Sequence, residues 1–169
     1  MSTASERHEV FLGLGSNLGD REAQLSEAVH RLEKEVGFVI GKSSVYKSAP
    51  WGNVNQPFFY NQVLRLLTDL GPMTLLASIR KIEDEMGRSR NEKWGPRTID
   101  IDILYFSNTI LDVDDLQIPH PEITERRFVL VPMAELAPDF LHPIFKLTQT
   151  ELLHYCEDES EVELCAQKV

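Results

Sequence analysis

Two aspartates separated by a single residue have the clearest capacity for chemistry in this sequence. Asp100 and Asp102 lie in residues 98–104, where β-branched residues alternate with polar ones at the period of a β-strand. Successive strand side chains point to opposite faces, so the carboxylates share one face, about 6–7 Å apart, and the isoleucines share the other. Carboxylates this close repel and need a cation, and Mg²⁺ prefers one or two carboxylates plus substrate phosphates.

A basic cluster immediately precedes the aspartates in an otherwise acidic chain. Its members are Arg88, Arg90, Lys93 and Arg97. Arginine binds phosphate oxygens with a planar, two-pronged fork. An isolated Asp-x-Asp is more often surface decoration, but the arginines and the preceding Gly95-Pro96 favour a functional site. The residues alone therefore predict a Mg²⁺ and polyphosphate site on a small α+β domain, with a mobile loop over 88–96.

Composition limits the possible function classes. The chain has 169 residues and a formal net charge of −10, which suits one domain and argues against general binding to nucleic acid or membrane surfaces. It lacks a long apolar run, and residues 1–9 lack the apolar segment of a signal peptide. Cys156 and Cys165 have no metal-binding spacing. We expect a cytoplasmic monomer with a single catalytic domain at 10–156, a flexible tail at 1–9 and an acidic tail at 157–169.

The hydrophobic pattern predicts an α+β fold with a ferredoxin-like βαββαβ core and added C-terminal helices and short strands. The predicted strands are 10–14, 38–47, 59–68, 98–104 and 109–111. The predicted helices lie between Asp20 and Gly37, at 72–86 and at 148–156, and a further helix starts with residues 133–137. Asp20 is predicted to cap the first helix and Gly37 to end it. The glycines at 13–19 do not fit a dinucleotide fingerprint, because Leu18 stands at its third glycine, and a tight strand-to-helix turn is the simpler interpretation.

Residues 94–103, Trp-Gly-Pro-Arg-Thr-Ile-Asp-Ile-Asp-Ile, resemble the central motif of the 6-hydroxymethyl-7,8-dihydropterin pyrophosphokinase family. Gly15-Ser16-Asn17 matches that family's opening motif, and the resemblance extends over about residues 10–145. The family transfers the terminal pyrophosphate of ATP to a pterin alcohol. The resemblance therefore implies ATP and 6-hydroxymethyl-7,8-dihydropterin as substrates and two Mg²⁺ ions.

The resemblance also implies residue roles. Asp100 and Asp102 would hold the metal ions. The residues implied in catalysis are Arg88, Arg90, Arg97, Asp100 and Asp102. Those implied in ATP binding are Glu83, Arg88, Trp94, Arg97, Ile103, His120 and Arg126. Those implied in pterin binding are Ser48, Ala49, Trp51, Phe59, Asn61, Asp100 and Phe128.

Several of these residues also have ordinary structural interpretations. Asn61 interrupts an apolar strand, where an amide needs hydrogen-bond partners. Glu83 lies near a helix C-terminus, where the helix dipole disfavours an acid. His120 stands between two prolines, which make its segment rigid. The rival metal ligands Asp112, Asp114 and Asp115 lie in a turn-like context that favours solvated surface charges.

Two other function classes remain open from the residues. Ferredoxin-like domains also bind RNA, although the acidic charge and the scarcity of sheet aromatics oppose this class. A different Mg²⁺-dependent phosphotransferase would use the same aspartates and release ADP instead of AMP. The identity of the products would separate these alternatives.

Overall fold

The computed structural model describes residues 7–50, 55, 57–87 and 98–165. The helices and strands have the bounds β1 His8–Ser16, α1 Arg21–Glu35, β2 Gly37–Lys42, β3 Tyr46–Ser48, β4 Phe59–Thr68, α2 Pro72–Glu85, β5 Asp100–Phe106, β6 Leu111–Val113, β7 Leu116–Ile118, α3 Arg127–Leu136, α4 Gln149–Tyr155 and β8 Val162–Leu164. A single 3₁₀ turn at Ile123–Glu125 precedes α3.

Within the described residues, the main sheet has six strands, and every pairing between them is antiparallel. The order is β5-β1-β4-β3-β8, and β2 pairs with β4 beyond the end of β3. The strands β6 and β7 form a separate hairpin. The predicted α+β class is confirmed, with a sheet that is antiparallel, and the ferredoxin-like label stays a prediction.

The two faces of the sheet bury different apolar clusters. On one face, α1 and α2 cover residues such as Leu12, Leu64 and Ile101. On the other face, α3 and α4 cover Phe11 and Leu104. Each strand therefore contributes alternate side chains to two cores, as the strand period requires.

β1 is longer at both ends than the predicted strand. It begins at His8, so residues 8 and 9 belong to the sheet and not to a tail. It continues through Gly13 and Gly15, which pair with Asp102 and Asp100 of β5. The interpretation of these two glycines as a strand-to-helix turn is wrong, because ladder pairing with β5 extends the strand to Ser16.

The first helix confirms its predicted N-cap, and its end corrects the role given to Gly37. The Asp20 carboxylate accepts the Ala23 N–H at 3.1 Å, the usual contact of an N-cap aspartate. Gly37 does not end α1 with a left-handed turn but begins β2. A Cβ on Gly37 would lie 2.0 Å from the Leu67 carbonyl oxygen, so the close approach of β2 to β4 requires a glycine there.

The predicted strand at 38–47 is interrupted at Ser43, and two strands replace it. The Ser43 N–H donates to the Val63 carbonyl, and the Ser43 hydroxyl accepts the Val63 N–H, both at 2.9 Å. The hydroxyl thus takes a place in the ladder that a backbone carbonyl would otherwise fill. Four steps from Lys42 to Tyr46 then match three steps along β4, which is the geometry of a β-bulge.

The C-terminal third departs furthest from the predictions. The helix expected at 133–137 is α3, which begins six residues earlier at Arg127 and continues through Pro132. A proline inside a helix costs about 3 kcal/mol, but the buried face of α3, with Val129, Leu130 and Met133, offsets this loss. The strand predicted at 109–111 is instead the hairpin of β6 and β7.

The predicted last helix is confirmed as α4, which begins with a reciprocal capping box between Thr148 and Glu151. The acidic segment after it, which carried no predicted role, contains β8, and β8 pairs with β3. Among the described residues, no helix is long and apolar enough to cross a membrane.

Candidate functional site

An open cleft of about 740 Å³ lies where α3 leaves one end of the sheet face uncovered. Its floor is a row of residues that face one another across three strands. Asp100 of β5 pairs with Gly15 of β1, and Gly15 pairs with Asn61 of β4. Paired residues in an antiparallel sheet project to the same face, so the carboxylate and the amide stand on either side of the glycine.

Gly13 and Gly15 of β1 leave open space over the cleft floor, because they have no side chains. A Cβ on Gly15 would lie 3.5 Å from both Asn61 Oδ1 and Phe59 Cδ1, and one on Gly13 would lie 3.4 Å from Leu104. Side chains at these positions would fill the space between the polar groups. The sequence contained this signal as a Gly-x-Gly inside an apolar run, which the turn interpretation misassigned.

β5 carries the two aspartates as its pattern predicts. Asp100 and Asp102 are partly exposed, while Ile99, Ile101 and Ile103 are buried on the opposite face. The predicted division of this strand into an acidic face and an apolar face is confirmed. Both carboxylates line the cleft.

Glu83 of α2 lies beside β5 and is 1% exposed. Its carboxylate accepts the backbone N–H of Ile101 at 2.9 Å, midway between Asp100 and Asp102. A hydrogen bond to a carboxylate is stronger than one between neutral groups, so Glu83 holds this part of β5 against α2. The misfit of an acid near the C-terminal end of α2 thus has a structural reason.

The amide of Asn61 is held by a second polar side chain. Asn61 Nδ2 donates to the Ser48 hydroxyl at 2.6 Å, and both residues are buried. The predicted loop began at Ser48, but this residue ends β3, because it pairs with Phe59 of β4. Ala49 and Phe59 line the same side of the cleft.

His120 and Arg126 line the opposite side of the cleft. Burial and the nearby Arg126 guanidinium lower the pKa of His120 to about 4, against smaller opposing effects of Glu122 and Asp100. His120 Nδ1 accepts the Glu122 N–H at 3.2 Å, so the neutral ring carries its proton on Nε2. His120 is therefore a neutral hydrogen-bond donor near pH 7.

Arg126 is anchored at the start of α3. Its guanidinium forms an ion pair with Glu122 and lies 5.6 Å from the centre of the Phe128 ring. That distance is within the range of a cation–π contact. Phe128, in the first turn of α3, therefore presents its ring to the cleft beside a positive charge.

The hairpin of β6 and β7 supplies a wall that the sequence did not predict as part of the site. Asp112, Asp114 and Asp115 are exposed, as predicted, yet all three line the cleft. Asp115 lies 3.8 Å from Arg80 of α2, which joins the hairpin to the helix. Only the tertiary fold brings this hairpin beside β5.

The structure brings eleven of the predicted site residues to this one cleft: Ser48, Ala49, Phe59, Asn61, Glu83, Asp100, Asp102, Ile103, His120, Arg126 and Phe128. Of these, Ile103 contributes its side chain to the core. The other predicted residues lie outside the described part of the chain: Trp51, Arg88, Arg90, Trp94 and Arg97. The roles given to all of these side chains stay predictions.

Fold and cleft together define a class, an α+β domain with an open ligand cleft whose floor carries two carboxylates and a buried amide. The sequence profile of the 7,8-dihydro-6-hydroxymethylpterin-pyrophosphokinase family matches residues 11–138, which is more than half of the chain. This chain therefore belongs to that family.

Individual relatives agree with the family match. The 2-amino-4-hydroxy-6-hydroxymethyldihydropteridine pyrophosphokinase of Aquifex aeolicus is 43% identical over 139 residues, which cover 81% of this chain and 85% of that protein. The folic acid synthesis protein FOL1 of Dictyostelium discoideum is 43% identical over 143 residues, covering 85% of this chain and 22% of FOL1.

The crystal structure of Plasmodium falciparum HPPK-DHPS with pteroate is similar in fold. It has a TM-score of 0.72 at 19% sequence identity, and the match covers 91% of this chain and 43% of that one. This chain thus spans 85% of the Aquifex aeolicus protein but less than half of each of the other two proteins.

Proposed function

We propose that this protein transfers pyrophosphate from ATP to the hydroxymethyl group of 6-hydroxymethyl-7,8-dihydropterin and releases AMP. Family membership supports this activity. The structural observation that carries it is the row Asp100–Gly15–Asn61, which places a carboxylate and an amide beside one low glycine on a shared floor. A polyphosphate end and a flat heterocycle would meet over that glycine.

The reaction is a displacement at phosphorus. The hydroxymethyl oxygen attacks the β-phosphorus of ATP, the bond between that phosphorus and the α-β bridging oxygen breaks, and AMP leaves with that oxygen. The alcohol proton is released, and the β- and γ-phosphates remain on the pterin. We assign no general base among the described cleft residues, so positioning and electrostatics supply most of the catalysis.

Asp100 and Asp102 are a donor set that fits Mg²⁺. Within the described residues no cluster of three or more His, Cys, Asp or Glu side chains is present, but Mg²⁺ commonly takes only one or two carboxylates and completes its shell with phosphates and water. Two Mg²⁺ ions so bound would neutralise phosphate charge and lower the pKa of the substrate alcohol. The two aspartates would hold the positive charge of the Mg²⁺ ions at the edge of the cleft floor.

The cationic and neutral donors would orient ATP from the other side of the cleft. His120 would donate from Nε2 to a phosphate oxygen, and Arg126 would add positive charge. We assign the same task to Arg88, Arg90 and Arg97, and we assign adenosine contacts to Trp94, Glu83 and the Ile103 backbone. Loss of one such donor typically slows a reaction about 10²–10³-fold.

The pterin would occupy the side of the floor nearest β3 and β4. The Asn61 amide offers both a donor and an acceptor to the edge of a pterin ring. Because Ser48 holds the Asn61 Nδ2 group, Oδ1 stays above Gly15, where it can accept a ring N–H. Phe59 and Phe128 would contact the ring faces, with further contacts from Ala49 and Trp51.

A product assay tests the proposal. The protein is incubated with ATP, Mg²⁺ and 6-hydroxymethyl-7,8-dihydropterin, and the nucleotides are separated. Pterin-dependent AMP is the expected product. Pterin-dependent ADP would keep the cleft chemistry but change the reaction to simple phosphorylation, and folded protein without turnover would overturn the pterin assignment. A monomeric, cytoplasmic enzyme that binds neither nucleic acid nor membranes stays a prediction.

A further inference from the structure

Residues 157–165 contact β3, which carries Ser48, and the first turn of α3, which carries Phe128. Within this segment, β8 pairs with β3, with Val162 opposite Ser48 and Leu164 opposite Tyr46. The Cys165 N–H extends this pairing, because it donates to the Val45 carbonyl at 2.9 Å. The segment therefore covers the free edge of β3. The last residue of β3, Ser48, is the one that holds the Asn61 amide.

The same segment also caps α3. The N-cap residue of α3, Arg126, makes no capping hydrogen bond with its own side chain. Instead, Asp158 Oδ2 accepts the Arg127 N–H at 3.0 Å. A carboxylate at a helix N-terminus satisfies a backbone donor that the helix leaves unpaired and interacts favourably with the helix dipole.

The Asp158 carboxylate is itself held in place by its own segment. Asp158 Oδ1 accepts the Ser160 hydroxyl at 2.6 Å and the Ser160 N–H at 3.0 Å. Burial raises the pKa of Asp158, but these hydrogen bonds and the one from Arg127 outweigh it and keep the pKa below the ordinary value. The Arg127 guanidinium in turn donates to the Ser160 carbonyl at 3.3 Å.

One short segment thus fixes the position of two parts of the cleft. Arg127 lies between Arg126 and Phe128, which both line the cleft. Ser48 and Asn61 line its opposite side. The family match ends at residue 138, so the segment belongs to the part of this chain outside the match.

We propose that residues 157–165 are a C-terminal clamp that sets the distance between Phe128 and the Ser48–Asn61 pair, and so the width of the pterin pocket. Asp158 is then a positioning residue, which acts on the pterin through Arg127 and the first turn of α3. This inference rests on the proposed function, since it assigns the pterin to that side of the cleft. Loosening the clamp weakens pterin binding more than ATP binding, because the pterin would contact Phe128 and the Ser48–Asn61 pair, whereas only Arg126 of this helix end would contact ATP.

The test compares two neighbouring acidic residues. Asp158→Ala removes the cap, while Glu159→Ala removes an equal charge from an exposed position in the same segment. We expect Asp158→Ala to raise the KM for the pterin about 3- to 10-fold, the factor that corresponds to the free energy of one N-cap contact, with kcat within about twofold of wild type and a smaller rise in the KM for ATP. Asp158→Asn, which can still accept the Arg127 N–H, restores most of the pterin affinity.

Three outcomes overturn the clamp. Asp158→Ala kinetics equal to those of Glu159→Ala would remove its role. A fall in kcat with an unchanged KM for the pterin would show a loss of folded enzyme and no positioning. Equal increases in both KM values would place the effect outside the pterin side. Wild-type protein without pterin-dependent AMP would instead overturn the proposed function, which is a separate result.

A second measurement on the wild-type protein keeps the proposal testable if Asp158→Ala does not fold. By thermodynamic linkage, if the capped state favours pterin binding, then pterin binding favours the capped state. Backbone amide exchange of peptides from residues 157–165 is followed with a non-hydrolysable ATP analogue and Mg²⁺, with and without 6-hydroxymethyl-7,8-dihydropterin. Slower exchange with the pterin supports the clamp, and unchanged exchange contradicts it.

Discussion

The two faces of the sheet are built from the same strands but serve different purposes. The face under α1 and α2 is lined mainly by buried apolar side chains. The face under α3 and α4 is apolar only where those helices cover it, and its uncovered end carries Asp100, Gly15 and Asn61. Alternation along a strand therefore lets one face supply stability while the other presents polar groups to a ligand.

The helices on the two faces are also attached differently. α1 and α2 pack mainly through buried apolar side chains such as Leu32 and Ile79, and Glu83 of α2 adds one buried carboxylate contact to β5. α3 has an apolar face too, but carboxylates tie it to its neighbours. Glu135 accepts the Tyr46 hydroxyl at 2.5 Å and the Ser44 N–H at 2.6 Å, and Asp158 accepts the Arg127 N–H. Hydrogen bonds to exposed carboxylates add little stability, so their main effect is to orient α3 against its neighbours.

The closed face gives the largest expected change in stability. Ile101→Ala removes a buried side chain from β5, and we expect the free energy of unfolding to fall by about 2–5 kcal/mol in urea titrations. Ile101→Val, the matched control, deletes one methylene and should cost about 0.5–1.5 kcal/mol. A loss below about 0.5 kcal/mol for Ile101→Ala would show that this face is not the main core.

Alanine substitutions at two glycines test the difference between the packed part of the sheet and the cleft floor. Gly37→Ala places a Cβ 2.0 Å from a backbone carbonyl, so we expect it to lower the free energy of unfolding by about 1–3 kcal/mol. Gly15→Ala meets its neighbours at 3.5 Å and should leave stability near wild type while it weakens pterin binding. The measurements are urea titration and calorimetry, and the reverse pattern would remove Gly15 from the cleft floor.

Asn61→Ala should weaken pterin binding about tenfold, because the ring loses a held amide partner. Thr68→Ala is the control, since Thr68 is also buried on β4 but bonds to the Val36 carbonyl away from the cleft. Calorimetry with an ATP analogue present should show the loss for Asn61→Ala alone. Equal pterin affinity in the two variants would place the pterin elsewhere.

The smallest expected effect is the pH dependence of the hydrogen bonds from Tyr46 and Ser44 to Glu135 of α3. Burial raises the pKa of Glu135, but hydrogen bonds from Tyr46 and Ser44 outweigh it and hold the pKa below its ordinary 4.5. A lowered folded-state pKa stabilises the protein above pH 4.5, and this contribution is lost as the pH falls through the folded-state pKa. Because water screens an exposed group, the contribution is at most about 1 kcal/mol.

Urea titrations from pH 7 to pH 3 measure this contribution. Glu135→Gln should be less stable than wild type at pH 7, and the difference should shrink below pH 4.5. Glu33→Gln, an exposed position on α1, should show no such convergence. A difference between Glu135→Gln and wild type that does not change with pH would contradict a role for the charge.

Features decided by local pattern could be predicted from the sequence. The alternation in β5 gave its two faces, the Asp20 cap gave the start of α1, and the bounds of β4 agree with the predicted Phe59–Thr68. The apolar spacing of α2 likewise agrees with the structure to within one residue. In each case a periodic pattern or a capping contact between near neighbours determines the element.

Features decided by contacts between residues far apart in the chain could not be predicted from the sequence. The Ser43 hydroxyl interrupts a predicted strand because it accepts an N–H from β4, twenty residues away. α3 continues through Pro132 because its buried face outweighs the local cost. The polar, acidic segment after α4 forms β8 because β3 offers it an open edge. The acidic hairpin lines the cleft only through tertiary packing.

The most direct test of the proposed site is the pterin-dependent AMP rate of Asp100→Asn, measured beside wild type and with a urea titration of each protein. The substitution keeps the size of the side chain and removes one of the two charges that would hold Mg²⁺. We predict a rate at least about 100-fold lower with an unchanged free energy of unfolding. A rate within a few fold of wild type would show that the acidic end of this cleft is not where the phosphates react.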